Sequence, residues 1–167
     1  MEELNSKIIF ETERLIVRRY NADDADNFFA LNGDEEIMRY IRPAKSREYS
    51  DAFLQETIAA VDANPQMGRW AVDEKSTGRF VNSIAVILIK GTDMIQLGYS
   101  LLKNEWGKGY ATELTKAGIN YVFTKMNLPF VYAVTEIDHI ASQQVLLKAG
   151  FKPEVVFKEG EKDLQRF

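Results

Sequence analysis

The stretch Trp106-Gly107-Lys108-Gly109-Tyr110-Ala111-Thr112 (WGKGYAT) lies between an apolar run ending at Leu102 and a helical-period run starting at Ala111. A glycine-containing turn that carries a strand into a helix aims free backbone N–H groups, and the positive end of the helix dipole, at one point. An anion placed there is held without any side chain. Gly107 and Gly109 let the chain approach it closely. The plainer reading of a G-x-G pair is an ordinary strand-to-helix turn. Two phosphate loops are excluded. No GxxxxGK[ST] is present, and a dinucleotide fingerprint would need a third glycine where Thr112 stands.

Upstream of the turn, Arg69 to Asp73, Arg79 to Lys90 and Asp93 to Leu102 are rich in Val and Ile and separated by Gly-containing turns. That pattern predicts an antiparallel meander. Glu13 to Tyr20 alternates as a strand. A polar turn follows at Asn21 to Asp26. Ala25, Phe28, Phe29 and Asn32 then share a helical face. Asp34 to Ile41 predicts a second helix, stopped before Pro43, and Ser46 to Asn64 a third. Downstream, Ala111 to Met126 reads as a helix with Leu114, Gly118, Tyr121 and Val122 inward. Phe130 to Thr135 reads as a buried strand. Ala141 to Ala149 reads as a helix closed by Gly150, and Glu154 to Lys158 and Asp163 to Phe167 as two short strands. The fold class is α/β (α+β): a mixed sheet of about seven strands covered by helices. No linker or repeat divides the chain, so residues 1–167 form one expected domain.

With 167 residues and 46% hydrophobic content, the chain is long enough for a sizeable core. It carries 21 basic and 25 acidic residues, a formal net charge of -4, and no basic footprint for nucleic acid. The absence of cysteine excludes disulfides, thiolate metal sites and a Cys nucleophile. A single histidine, His139, excludes a multi-histidine metal centre. The N-terminal MEELNSKIIF has no long apolar run, and Ile84 to Ile89 is too short to span a bilayer. A cytoplasmic protein without a membrane partner is expected.

Three ordered motifs carry a family resemblance. TERLIVR at Thr12 to Arg18 is followed by Asp24. Gly98-Tyr99 precedes WGKGYATE. Ser142 precedes VLLKAGF. Over nearly its whole length the chain resembles the GNAT-type N-acetyltransferases, in the branch of the ribosomal-protein alanine acetyltransferases. The resemblance implies a mostly antiparallel sheet with helices on both faces, splayed between its fourth and fifth strands. It implies acetyl-CoA as co-substrate and no metal. Pantetheine would pair with the backbone of Ser100, Leu101 and Leu102. The pyrophosphate would rest on the backbone from Trp106 and Gly107 through Lys108, Gly109, Tyr110 and Ala111 to Thr112. Lys103, Lys108 and Lys148 are candidate phosphate partners, and His139 and Ser142 candidate cofactor contacts. The chain departs from the family at Trp106, although Trp is usual in this branch. It departs again at Lys103, often proline, and at His139, commonly an Asn that positions the cofactor.

The expected reaction is transfer of an acetyl group to a primary amine by direct attack. The acceptor is a small-molecule amine or a protein N-terminus, and the protein a monomer or homodimer. Ser142 is the candidate general acid, and Glu136 or His139 the candidate base. Their plain structural counterparts are a helix-start serine, a solvated loop carboxylate and a surface histidine. Gln96 stands where relatives often carry a Glu base. Asp23, Asp24, Asp26, Asp34, Glu35 and Glu36 would make an acidic wall for a cationic acceptor, but helix capping explains them more simply. Tyr40, Trp70 and Tyr99 are candidates for the acceptor slot or the core. Two rival functions are a non-catalytic acyl-CoA-binding or sensing module and an unrelated α/β ligand-binding domain.

Overall fold

The structure, a computed structural model, describes residues 7–167. The reading of the N-terminus as no leader therefore falls partly on residues 1–6, outside the described residues. Among the described residues, eight strands form two sheets. Five lie in the antiparallel order β1 (Ile8–Glu11), β2 (Leu15–Arg19), β3 (Gly68–Glu74), β4 (Phe80–Leu88) and β5 (Ile95–Leu101). Three more, β6 (Val134–Glu136), β8 (Lys162–Arg166) and β7 (Val155–Glu159), form a second antiparallel sheet in that spatial order. A single parallel bridge between Gln96 and Tyr132 joins the two. The helices are α1 (Ala25–Asn32), α2 (Glu35–Met38), α3 (Arg47–Ala63), α4 (Tyr110–Thr124) and α5 (Ile140–Lys148).

Strand alternation sorts the side chains into two cores. Trp70, Val72, Ile84, Val86 and Leu97 share the face that meets Leu114, Tyr121 and Val122 of α4. Ala71 and Phe80 belong to a separate cluster with Tyr20, Phe28, Leu31, Met38 and Leu54, under α1, α2 and α3. The sheet is thus covered on both faces, as expected. Strand β1 was not expected. It is four residues long, lies at the sheet edge and has a register shift between Ile8 and Phe10. So short and irregular a strand leaves little alternation to read. The expected strand at Phe130 to Thr135 starts later. Phe130 is exposed and only Tyr132 bridges β5 before the chain turns to β8. The second helix is also shorter than expected, ending at Met38.

The caps follow local chemistry. Asn21 and Asp24 form a reciprocal capping box ahead of α1, and Asp34 accepts from the N–H groups of Glu36 and Ile37 at the start of α2. Ser46 caps α3 through the Tyr49 N–H. Asp24 also forms an ion pair with Arg18, which in turn holds Asp73.

Helix α4 seats against β4 and β5 through Gly118. A Cβ there would stand 2.8 Å from Leu97 Cδ1 and 3.2 Å from Ile84 Cδ1. The close approach sets the distance between α4 and the strand that borders the inter-sheet gap. Gly118→Val would force a branched side chain into this contact. We predict a loss of about 1–3 kcal/mol in unfolding free energy by chemical denaturation.

Candidate active site

Strand β5 ends in a 3-10 turn at Lys103–Glu105, and the chain then passes Gly107 and Gly109 into α4. Both glycines have positive φ, 79° and 82°, as the tight entry requires. Gly109 caps α4 with no side-chain hydrogen bond, and the first helical bond runs from the Glu113 N–H to the Gly109 carbonyl at 3.1 Å. Helix geometry therefore leaves the N–H groups of Tyr110, Ala111 and Thr112 at an open N-terminus. This arrangement fits an anionic group such as a pyrophosphate.

The turn is fastened from far away in the sequence. The Glu113 carboxylate accepts from Thr12 Oγ1 at 2.6 Å, from the Arg14 N–H at 3.1 Å and from Arg14 Nε at 2.8 Å. Arg14 Nη1 donates to the Lys108 carbonyl at 2.9 Å, and its guanidinium lies 4.4 Å from the Tyr110 ring centre. Burial alone would push the Glu113 carboxyl up, but the Thr12 and Arg14 donors outweigh it and hold the group below the usual carboxylate range. Two of the sequence motifs, TERL and YATE, are therefore one physical unit. Trp106 adds a bond from its indole N–H to the Leu101 carbonyl at 2.9 Å.

The three lysines differ in place. Lys108 pairs with the fully buried Glu105 at 2.8 Å, and Lys103 pairs with Asp34 at 3.0 Å and Glu36 at 3.3 Å. Lys148 is exposed at the end of α5. Lys103 is thus engaged by the acids at α2, on the other side of β5 from the glycine turn.

Beyond the Gln96–Tyr132 bridge, β5 and β6 part. Tyr132 donates to Ile95 and accepts from Leu97, so odd-numbered residues of β5 face the gap. Leu102 donates to Val81, so even-numbered residues face β4. Register thus turns the backbone of Ser100 and Leu102 away from the gap. It leaves Tyr99 and Leu101 there, so of the expected trio only Leu101 turns its backbone to the gap. The Leu101 carbonyl is taken by Trp106, which leaves the Leu101 N–H and both backbone groups of Tyr99.

The gap opens onto a cavity of about 390 Å³. Its floor is the α1–α3 face of the sheet, where Arg69, Ala85 and Gly98 lie in one cross-strand row and Ser83 and Ser100 in the next. Ser142, Glu136 and His139 line its other side. Ser142 is buried in the first turn of α5. Burial pushes the Tyr99 phenol up, and the neighbouring Ser142 hydroxyl offsets part of that. The Glu136 carboxylate is held by Lys162 of β8. The His139 ring stacks on Tyr40, with centres 4.3 Å apart and planes 14° apart. Tyr40 and Tyr99 do line the cavity, whereas Trp70 is wholly core. Sequence reasoning missed Arg14, Arg42 and Arg69. A basic residue on the floor-facing parity of β3 was the only available signal for the last.

Two outcomes follow from this geometry. Glu113→Ala removes the acceptor of three bonds, one from the Thr12 hydroxyl and two from the half-exposed Arg14. It should cost about 1–2 kcal/mol of stability and weaken acetyl-CoA binding in calorimetry. The second concerns His139, whose burial pushes its pKa below the ordinary 6.5 against an opposing pull from Glu136. The unfolded chain therefore binds a proton at higher pH than the folded one. The stability this contributes is present above about pH 6.5 and is lost as pH falls through the folded value. His139→Phe keeps a ring against Tyr40 and should flatten that part of the stability–pH curve, measured by denaturation between about pH 7 and 5.

Comparison with known proteins agrees with the fold. A family model described as an acetyltransferase (GNAT) domain matches residues 14–152. The chain is 30% identical over 154 residues to the uncharacterized N-acetyltransferase YoaA of Bacillus subtilis, covering 90% of this chain and 86% of that protein. It is 28% identical to the uncharacterized N-acetyltransferase p20 of Bacillus licheniformis, covering 90% and 86%. Among solved structures, a GNAT-family acetyltransferase from Bacillus anthracis superposes with a TM-score of 0.83 at 23% identity, covering 96% and 95%. RimL, a ribosomal L7/L12 α-N-protein acetyltransferase seen with coenzyme A, superposes with a TM-score of 0.79 at 14% identity, covering 96% and 97%. The chain belongs to the GNAT family of N-acetyltransferases, enzymes that move an acetyl group from acetyl-CoA to an amine.

Proposed function

We propose that this chain acetylates a primary α-amine by direct attack on the acetyl thioester in a ternary complex. The carrying observation is the edge of the β5–β6 gap, where the free Tyr99 backbone N–H, the Tyr99 phenol and the Ser142 hydroxyl meet the acceptor cavity. Acetyl-CoA supplies an activated acyl group whose leaving thiol has a pKa near 8.5 by analogy with cysteine, so little acid assistance is needed. The Tyr99 N–H is suited to receive the developing oxyanion. Ser142 is suited to return a proton to the sulfur, with Tyr99 beside it. Positioning of the two substrates supplies roughly 7–11 kcal/mol. The glycine turn and the gap hold one partner, and the cavity holds the other.

The proton from the amine has only weak acceptors. Gln96 is neutral. Glu136 is tied to Lys162, so its use as a base would first cost the ion pair. His139 has its pKa lowered by burial and is uncharged at neutral pH, which leaves it as the better-placed acceptor. Deprotonating a lysine-type amine at neutral pH costs about 4–5 kcal/mol, against about 1 kcal/mol for an α-amine. A site with weak bases suits the second. The RimL neighbour is named as an α-N-protein acetyltransferase, which supports an N-terminal amine as acceptor. The named N-acetyltransferase relatives favour catalysis over a purely sensing role.

The test is thiol release from acetyl-CoA with a panel of amines across pH. At pH 7, peptides with free α-amines should exceed lysine side-chain analogues and spermidine in kcat/KM by at least about tenfold. The margin should shrink toward pH 10. Equal turnover of both classes at neutral pH would overturn the α-amine assignment.

A further inference from the structure

Two arginines enter the acceptor cavity without a carboxylate partner. Arg42, between α2 and α3, donates through Nη2 to the Asn32 side-chain oxygen at 2.9 Å. Asn32 is itself held by the Phe28 carbonyl at 2.9 Å. Arg69 rises from β3. Both guanidiniums lie against the Phe53 ring, with their carbons 5.2 Å and 5.4 Å from its centre. Among the described residues, neither joins an acid: Arg18, Arg19, Arg47 and Arg79 each do, at 2.6 to 3.4 Å. The nearest ionic influence on Arg69, after burial, is Arg42, and together they lower its pKa to about 10. Burial alone lowers Arg42.

Two like charges held together in a half-buried pocket, with no counter-ion, are unfavourable by themselves. Such a pair, kept in place by an amide and an aromatic ring, is arranged to take an oxyanion. The acids of α1 and α2 do not neutralise it. Asp24 is bound to Arg18, Asp26 to Arg47, and Asp34 and Glu36 to Lys103. The capping account preferred from the sequence thus fits four of the six acids, which sit in caps or ion pairs, and the α1–α3 side of the cavity carries Arg42 and Arg69, with Glu136, Glu159 and Lys162 also in its lining.

Distance sets the geometry. Arg69 and Gly98 are two strands apart in the same cross-strand row, about 10 Å between backbones. Arg42, Arg69, Gly98 and Tyr99 all line the one cavity. A small acceptor can therefore meet the arginines with one end and the Gly98–Tyr99 edge with its amine.

We propose that the acceptor is an amine carrying a carboxylate a few bonds from its nitrogen, and that Arg42 and Arg69 bind that carboxylate. The assignment rests on the N-acetyltransferase reading of the same site and narrows it. The carboxylate has two sources, a free amino acid or an acidic side chain next to a peptide N-terminus. In either, the arginines bind the acceptor and select it, while the chemistry stays at Tyr99 and Ser142.

The experiment measures thiol release from acetyl-CoA with matched pairs. One arm compares common L-amino acids with their carboxamides, with rates taken per fraction of unprotonated amine because the α-carboxylate raises the amine pKa. The other compares short amidated peptides bearing Asp or Glu at the first or second position with the Asn or Gln versions. We expect kcat/KM at least about tenfold higher for the carboxylate member in one arm, and that arm names the source. Arg69→Gln and Arg42→Gln should each cut the ratio to about twofold or less, chiefly through KM for the acceptor. Acetyl-CoA binding by calorimetry reports whether each variant is folded. If a variant fails to bind acetyl-CoA, the wild-type ratio measured against increasing acetate or chloride decides, because an arginine-bound carboxylate is competed by free anions. Turnover of carboxylate and neutral members at equal rates would overturn the proposal and leave the acetyltransferase intact. No thiol release with any amine would overturn the acetyltransferase reading itself.

Discussion

The parting of β5 from β6 after one parallel bridge constrains the rest of the molecule. An interior strand normally has both edges paired, and unpaired N–H and C=O groups away from water are costly. Here β5 is fully paired along β4, yet on its other edge it meets only Tyr132. From Tyr99 onward that edge has no strand beside it. Trp106 covers the Leu101 carbonyl from the following turn, and what remains is a short row of backbone groups suited to a linear, amide-bearing ligand. The opening persists because each strand is committed elsewhere. Strand β6 is paired with β8, Ala133 exchanges two bonds with Phe167, and Gly118 fixes α4 against β5.

The glycine turn depends on this same strand. It begins where β5 ends, so the anion site at α4 and the free edge of β5 are in line by connectivity. The Thr12–Arg14–Glu113 contacts then tie the turn to the hairpin between β1 and β2. On the proposed reading, cofactor recognition is therefore backbone chemistry, held by a long-range ion pair. Acceptor recognition has the opposite character. On the same proposed reading it rests on side chains from α1, the α2–α3 connection and the floor of the sheet, among them Asn32, Tyr40, Arg42 and Arg69.

That division explains what could be read from the sequence. WGKGYAT was legible because positive φ demands glycine, and because the patterns on either side changed period. The helix caps were legible because Asn21, Asp34 and Ser46 act on N–H groups two or three residues away. The pairing of Arg14 with Glu113 was not, since the two are 99 positions apart and only the fold makes them neighbours. The β5 backbone groups were half legible. The resemblance located the segment, but only the register decides that Tyr99 and Leu101, not Ser100 and Leu102, face the gap. The arginines were illegible for a different reason. Counting acids on α1 and α2 says nothing about which are already paired, and a net charge of -4 conceals a pair of arginines in one cavity.

Where the two halves meet, the linking contact is Tyr40 stacked on His139. Tyr40 belongs to the acceptor side, just beyond α2, and His139 precedes α5, whose first turn carries Ser142. An aromatic pair of this kind contributes about 0.5–1.5 kcal/mol beyond its area burial, enough to bias a loop without locking it. The Asn common at this position in relatives would offer an amide to the cofactor but no flat surface to a neighbouring ring. The histidine instead gives α5 a lateral support from the acceptor side. On the proposed reading its imidazole, kept uncharged by burial, also stands at the cavity wall where the amine would lose its proton. One residue would then serve both positioning and proton transfer, with Tyr40 as its partner across the cavity.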